Sequence, residues 1–237
     1  MTDVHSHILF GIDDGSSSIH ESLELISKMK RAGFDKIILT PHYIEGTEYS
    51  AENKEKLERY ELLKKEIDRN NIDVSIYLGN EIFIHNDILK SLDNDLCFSL
   101  NNGKYLLVEL PFYNQILELD DIIHEIKIAG YIPIIAHPER YSYFQDNYKL
   151  VDEIKNNGVL FQSNYASILG YYGKSTEKLV KYLFKNGYVD YLGTDIHHSN
   201  KDYTLVHMDK IIKKIKKITG EEYFMEICNN CSSLVEE

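Results

Sequence analysis

Two histidines near the start of the chain, His5 and His7, are separated by a single residue. Side chains alternate along an extended segment, so both imidazoles lie on one side and can reach the same metal ion. The acidic pair Asp13 and Asp14 follows closely. Histidine pairs also occur in solvated loops, so the remaining sequence must decide between a metal site and an incidental pair.

Most of the predicted strands are followed by a residue that can bind a metal ion. These candidate ligands are His5, His7, His42, Glu81, Glu109, His137, Asn164, Asp195 and His197. Histidine together with carboxylates suits Zn²⁺, Mn²⁺ or Fe²⁺ and is too poor in oxygen for a calcium site. A set that recurs at one strand end after another predicts two or three divalent ions, with Glu81 as a carboxylate able to bridge two of them.

The elements that must position these residues alternate between strands and helices. Apolar runs that are typical of buried parallel strands lie at 2–9, 36–40, 73–79, 105–108, 132–136, 159–162 and 189–193. Helical patterns lie between them and at 205–218. In a barrel the C-terminal ends of all strands meet at one mouth, which would gather the candidate ligands. We therefore predict an α/β fold, a distorted seven-stranded (β/α) barrel, as a single domain over residues 1–237.

Composition and charge exclude several classes of protein. The formal net charge of −12 argues against a surface that binds nucleic acid. The three cysteines do not indicate a disulfide framework, and the Cys228–Cys231 pair has no second pair with which to form a zinc site. No cysteine is followed six positions later by arginine, which excludes a cysteine phosphatase. No apolar run approaches the roughly 18 residues that span a membrane, so we expect a cytoplasmic protein without membrane insertion.

The strand-end motifs resemble those of one superfamily of metal phosphoesterases, the polymerase and histidinol phosphatase (PHP) superfamily. The motifs are His5-x-His7, Thr40-Pro41-His42, Glu81, Glu109, His137-Pro138-Glu139-Arg140 and Asp195-x-His197. Within the superfamily, the segments around Asp13-Asp14-Gly15 and His137-Pro138-Glu139-Arg140 resemble bacterial tyrosine-protein phosphatases of capsule and exopolysaccharide loci. The resemblance implies a manganese-dependent enzyme that acts on phosphotyrosines of a partner tyrosine autokinase.

The same resemblance implies how the ligands divide among the metal ions. His5, His7, Glu81 and Asp195 would hold one ion, and Glu81, Glu109 and His137 a second. Asp14, His42 and His197 would hold a third, although spacing does not separate Asp14 from the neighbouring Asp13. The cofactor would be Mn²⁺, with iron or zinc as alternatives.

The remaining site residues are expected to act on the phosphate. Divalent ions lower the pKa of a bound water from about 15.7 towards ~7, so that hydroxide can attack phosphorus and displace the tyrosine phenolate. Arg140 directly follows the His137 motif and is expected to bind a phosphoryl oxygen, and Asp14 is assigned a catalytic role. Lys201 lies in the segment where members of the resembling family often carry an arginine. Several tyrosines in strand-end loops could stack on the phosphotyrosine ring or line the barrel rim, and Tyr141 is taken as the candidate contact: Tyr43, Tyr141, Tyr143, Tyr165, Tyr171 and Tyr172.

Two other functions remain open at this point. One is hydrolysis of histidinol phosphate or another small phosphomonoester at the same site. Alternatively, the chain is an inactive, metal-containing module that binds the tail of a kinase.

Overall fold

The computed structural model describes residues 1–236, which form nine strands and nine α-helices. The strands are Thr2–Asp3 (β1), Lys36–Leu39 (β2), His42–Tyr43 (β3), Ser75–Leu78 (β4), Glu81–Phe83 (β5), Tyr105–Glu109 (β6), Ile132–Ala136 (β7), Leu160–Asn164 (β8) and Tyr191–Gly193 (β9). The helices are Ile19–Arg31 (α1), Asn53–Arg69 (α2), Ile88–Asp93 (α3), Leu119–Ile128 (α4), Ser142–Asp146 (α5), Tyr148–Asn156 (α6), Lys174–Lys185 (α7), Tyr203–Val206 (α8) and Met208–Ser233 (α9). Short 3₁₀ helices lie at Leu100–Asn102, Pro138–Arg140 and Tyr165–Leu169.

Every strand pair in the structure is parallel, as the apolar strands predict. One sheet has the order β1-β2-β4, and a second, curled sheet has the order β3-β5-β6-β7-β8-β9. Two main-chain hydrogen bonds join residues 5–7 to residues 195–196: Asp195 N donates to His5 O (2.8 Å), and His7 N donates to Ile196 O (2.9 Å). The prediction of an α/β parallel fold is confirmed.

The predicted seven-stranded barrel is confirmed only in part: the strands of the described residues form two sheets, and the larger is a curled half-barrel of six strands. The predicted strand at 36–40 corresponds to β2, and pairing resumes two residues after Leu39 as β3. The strand at 73–79 is followed in the same way by β5. Thr40-Pro41 and Gly79-Asn80 form these breaks. The predicted single domain also includes Glu237, which lies outside the described residues.

Amphipathic helices cover the outer face of the sheets and complete one apolar core. In α1 the Ser18 side chain accepts a hydrogen bond from Glu21 N and caps the first turn. The same helix buries Leu25, Ile26 and Met29 against the sheet. Burying each of these side chains contributes roughly 1.5–3 kcal/mol to folding.

The C-terminal helix is longer than the pattern at 205–218 predicts. Helix α9 continues from Met208 to Ser233 and passes through Gly220, whose φ of 78° interrupts the helical backbone. Ile211 and Ile215 are buried before this kink, and Phe224 and Ile227 are buried after it. Within residues 1–236, no helix is both long and apolar enough to cross a membrane.

Candidate metal centre

The nine predicted metal ligands lie together at the C-terminal ends of the strands. Their ligand atoms form three overlapping groups that could each hold an ion: His5 with His7 and Glu81; His42 with Glu81 and Glu109; and His7 with Asp14, His42 and His197. His137 and Asp195 lie at the edges of these groups. The strand-end pattern therefore corresponds to a real convergence of side chains.

The first group is the most buried. His5 Nε2 and His7 Nε2 are 3.1 Å apart, and each lies 3.3 Å from Glu81 Oε2. Asp195 Oδ1 lies 3.7 Å from His5 Nε2 and 3.5 Å from His7 Nε2. The residues that resemblance implies for the first ion are therefore present together, with Asp195 at the edge of the group.

The second group contains one histidine more than expected. His137 Nε2 lies 2.9 Å from Glu81 Oε1 and 3.8 Å from Glu109 Oε1, as expected for a shared ion. His42 Nδ1 also faces this group, 3.0 Å from Glu81 Oε2 and 3.9 Å from Glu109 Oε2. His42 therefore borders both the second and the third group, and Glu81 is shared by the first and the second.

In the third group the geometry separates the two adjacent aspartates. Asp14 Oδ1 lies 3.7 Å from His42 Nε2 and 3.6 Å from His197 Nε2. Asp13 instead is buried and accepts three hydrogen bonds: from His7 Nδ1 (2.7 Å), from Gly15 N (3.0 Å) and from His42 N (2.9 Å). Asp14 is thus the carboxylate free to bind an ion, and Asp13 orients His7 and His42.

Unpaired buried atoms show that the donor set fits a cation. Glu81 Oε2 and His42 Nδ1 are buried and have no hydrogen-bond partner within the described chain, although they face each other. Buried polar atoms are normally paired, and an unpaired one is costly. Divalent cations bound by these atoms would satisfy them, and the histidine and carboxylate donors suit manganese, iron or zinc.

A hydrogen-bonded chain on β8 supports two of the ligands from behind. His5 Nδ1 donates to Gln162 Oε1 (2.8 Å), which directs His5 Nε2 towards the metal position. Gln162 Nε2 donates to Asn164 Oδ1 (2.9 Å), and Asn164 Nδ2 donates to Asp195 Oδ2 (2.7 Å). Such partners fix the orientation of metal ligands. Sequence reasoning missed Gln162, although its position two residues before Asn164 places both on one face of the strand.

Burial and neighbouring charges shift the pKa values of the clustered residues, upwards for His5 and Glu109 and downwards for His137. Burial lowers the pKa of His5, but Glu81 and Asp195 outweigh burial and raise this pKa to about 9. Burial and the charge of Glu81 raise the pKa of Glu109 to about 8. Burial lowers the pKa of His137 to about 4, so His137 is neutral and able to bind a metal ion.

The backbone is unusual where it carries these ligands. His137 and Asp195 have φ angles of 32° and 52°, in the left-handed region that non-glycine residues seldom adopt. Gly193 packs so closely that a Cβ there would lie 2.5 Å from His5 Cβ, and a Cβ on Gly15 would lie 2.0 Å from His7 O. These glycines allow β9 and the Asp13-Asp14 loop to approach the two first ligands.

A pocket of about 250 Å³ opens beside the cluster. Its lining includes Asp14, Arg140, Tyr171, Tyr172, Asp195, His197, His198 and Lys201. Arg140 Nη1 donates to Asp195 Oδ2 (2.8 Å). The Arg140 guanidinium carbon lies 4.8 Å from the ring centroid of Phe112 and 4.7 Å from that of Tyr172. Arg140 and Lys201 thus place two cations at the pocket that adjoins the metal positions.

Tyr141 does not line this pocket, so its predicted contact with the substrate is corrected. It is fully buried, and its hydroxyl donates to Ala136 O (2.8 Å) and accepts from Leu110 N (3.0 Å). These bonds fasten β7 to the end of β6. Tyr172 and the half-exposed Tyr171 lie at the pocket instead, and sequence alone did not distinguish between these loop tyrosines.

The curled parallel sheet and the histidine–carboxylate cluster at its edge define a metal-binding α/β protein with a PHP-like fold. A model of the family described as capsular polysaccharide synthesis, CpsB/CapC, matches residues 1–236. The chain belongs to this family.

Named relatives and solved structures agree with this assignment. The chain is 28% identical to tyrosine-protein phosphatase YwqE of Bacillus subtilis over 99% of this chain and 91% of that protein. It is 30% identical to tyrosine-protein phosphatase CpsB of Streptococcus pneumoniae over 95% of this chain and 96% of that protein. The fold also matches a chain from the crystal structures of YwqE from Bacillus subtilis and CpsB from Streptococcus pneumoniae, which are described as metal-dependent tyrosine phosphatases. The match has a TM-score of 0.91 and 28% sequence identity, and it covers 100% of this chain and 94% of that chain.

A more distant structure shows the fold alone. Histidinol phosphate phosphatase of Lactococcus lactis, with zinc, L-histidinol and phosphate, has a TM-score of 0.58 at 17% identity. It covers 92% of this chain and 93% of that chain.

Proposed function

We propose that this chain is a metal-dependent phosphatase that removes phosphate from protein phosphotyrosine. The observation that carries the proposal is the position of Arg140 and Lys201 at the pocket that adjoins the nine candidate metal ligands, seven in the overlapping groups and His137 and Asp195 at their edges. Cations beside a multinuclear metal site are the arrangement that a phosphate dianion requires. The relatives named as tyrosine-protein phosphatases support phosphotyrosine as the substrate.

The metal ions of the proposal are two or three Mn²⁺, held by the ligand groups described above. His5, His7, Glu81 and Asp195 would hold one ion, Glu81, Glu109 and His137 a second, and Asp14, His42 and His197 a third. When bound, such ions supply Lewis-acid stabilisation of the phosphoryl oxygens and an activated water.

The protein's own residues position the phosphate and the metal ligands. The Arg140 guanidinium contacts two aromatic rings, donates to Asp195 and lines the pocket. It would bind a phosphoryl oxygen through charge-assisted hydrogen bonds. Lys201 adds a second positive charge, and Asp14 has a catalytic role beside the phosphate through its place in the third ligand group. The phenol of tyrosine has a pKa of about 10, so its phenolate is a fair leaving group.

The physiological partner in this proposal is a tyrosine autokinase of capsule or exopolysaccharide synthesis, acting with this chain in the cytoplasm. The family description and the relatives' names support a capsule-linked phosphotyrosine protein. No nucleic acid takes part, in keeping with the net charge of −12.

A comparison of the turnover of two substrates tests the proposal. Phosphate release from a phosphotyrosyl peptide and from histidinol phosphate is measured with the Mn²⁺-loaded protein. We expect kcat/KM to be much higher for the peptide. Higher turnover of histidinol phosphate would replace the proposal with a small-molecule phosphatase. Binding of the peptide without release of phosphate would indicate an inactive binding module.

Asp195→Ala and His5→Ala serve as controls for where the reaction occurs. Both remove a ligand of the first group, so both should abolish phosphate release. If either variant keeps wild-type activity at wild-type metal content, the reaction does not take place at this cluster.

A further inference from the structure

A second cavity lies beside the metal pocket and shares Arg140 and Tyr172 with it. Its volume is about 580 Å³, more than twice the 250 Å³ of the metal pocket. One wall comes from the loop after β6, with Phe112 and Tyr113, and the other from the first turn of α7, with Lys174. We call this cavity the flanking groove.

The flanking groove is positively charged, although the protein is acidic. The chain has 38 acidic and 26 basic residues, yet the charged side chains lining the groove within residues 1–236 are Arg140 and Lys174 alone. Lys174 is exposed and makes no ion pair with any residue of the described chain. Farther along α7, by contrast, Lys181 is paired with Glu177. The groove therefore offers an uncommitted cation to a ligand.

The walls of the groove are suited to a peptide. The Phe112 ring is stacked on His137, with centroids 5.7 Å apart and an interplanar angle of 13°, so this wall is anchored to the metal site. Tyr113 is 83% exposed at the rim and presents an aromatic face to solvent. An extended peptide advances about 3.3 Å per residue, so residues one to three positions from a phosphotyrosine in the metal pocket would reach the groove.

We propose that the flanking groove binds the residues next to the phosphotyrosine of the substrate, and that Lys174 selects an acidic side chain among them. The inference rests on the proposed function and adds a specificity determinant to it. The metal pocket would recognise the phosphate, which every phosphotyrosyl substrate has in common. The groove would distinguish one phosphotyrosyl sequence from another.

The test compares two phosphotyrosyl peptides that differ only in charge. One has Glu at the three positions on either side of the phosphotyrosine, and the other has Gln at the same positions. Phosphate release is measured at low ionic strength with the Mn²⁺-loaded protein, with Lys174→Glu and Lys174→Gln, and with Lys178→Glu. Lys178 is the matched control, because it is exposed on the same helix and does not line the groove.

For the wild type we expect kcat/KM to be about three- to fivefold higher for the Glu peptide, the upper part of the roughly 1.4- to 5-fold range that an exposed ion pair supplies. Lys174→Gln should bring this ratio to about one, and Lys174→Glu should reverse the preference. Lys178→Glu should keep the wild-type ratio. Because both Lys174 substitutions are at an exposed position, the comparison does not depend on a change in the core.

Three results would overturn the inference. A wild-type ratio near one would mean that the groove does not read charge. A wild-type ratio retained in Lys174→Glu, or lost equally in Lys178→Glu, would mean that Lys174 has no local role. These results leave the proposed function standing, since both peptides are hydrolysed. If the wild type hydrolyses p-nitrophenyl phosphate but neither peptide, the proposed function fails and the inference fails with it.

Discussion

Gly193 provides a direct way to move one metal ligand without changing its chemistry. A methyl group at this position would lie 2.5 Å from His5 Cβ and 2.8 Å from Gln162 Nε2. Ordinary contacts between carbon atoms are about 3.5–4.0 Å, so Gly193→Ala must displace His5 or β9 by roughly 1–1.5 Å. Gln162 is hydrogen-bonded to His5 and would be pushed at the same time.

The expected effect is large on activity and moderate on stability. A misplacement of about 1 Å in an active site can lower the rate by about 10²-fold, and we expect a loss of this size in kcat/KM. Overpacking costs about 1–3 kcal/mol, which for a chain of this length lowers Tm by roughly 2–12 °C. The assay is Mn²⁺-dependent hydrolysis of p-nitrophenyl phosphate, with metal content and thermal unfolding measured on the same samples.

Gly103→Ala is the matched control, because a Cβ there would lie 3.3 Å from Leu100 O and require a shift of only a few tenths of an ångström. Gly103 precedes β6 and lies outside the ligand groups. This variant should keep wild-type activity. If Gly193→Ala keeps activity within twofold of the wild type at unchanged metal content, His5 is not held where the reaction requires it, and the reasoning is refuted.

Three further predictions concern the support of His7, the binding of phosphate and the pH dependence of metal binding. Asp13→Asn should weaken Mn²⁺ binding about 10- to 100-fold in a metal titration, because the amide no longer fixes the imidazole of His7 as the carboxylate does; unchanged affinity would contradict this role. Arg140→Lys should lower kcat/KM by about 10- to 100-fold, since Lys lacks the planar fork for a phosphoryl oxygen, and a wild-type value would remove Arg140 from phosphate binding. Mn²⁺ binding should release protons and weaken as pH falls from about 9 to 6, because the carboxylate neighbours of His5 raise its pKa to about 9 against the effect of burial. Calorimetry in buffers of different ionisation enthalpy measures the proton release. A Mn²⁺ affinity independent of pH would contradict this prediction.

The sequence predicted which residues meet because parallel strands constrain their ends. Each ligand follows a buried apolar strand, and the C-terminal ends of such strands lie at one edge. His137 and Asp195 were found in this way, although their left-handed backbone has no clear sequence signature. The choice between Asp13 and Asp14 was beyond the sequence, because both lie in one loop and only the packing of Asp13 against His7 and His42 N separates them.

Other features depended on packing that a linear pattern does not contain. Tyr141 is an aromatic residue beside a strand-end motif, as a substrate contact would be, but its hydroxyl is hydrogen-bonded to main-chain atoms inside the core. The breaks after β2 and β4 changed the strand count, since a local turn does not alter the apolar pattern. Helix α9 passes Gly220 because buried residues on both sides of the kink hold the two halves against the core.

We expect the clustered strand-end residues to hold two or three divalent ions that serve phosphate release. Anomalous diffraction from crystals of the Mn²⁺-loaded protein tests it most directly. Two or three manganese peaks are expected, one within bonding distance of His5, His7, Glu81 and Asp195, and the others bordered by Glu81 and His42. An active, manganese-loaded protein whose peaks lie outside this cluster would contradict the account.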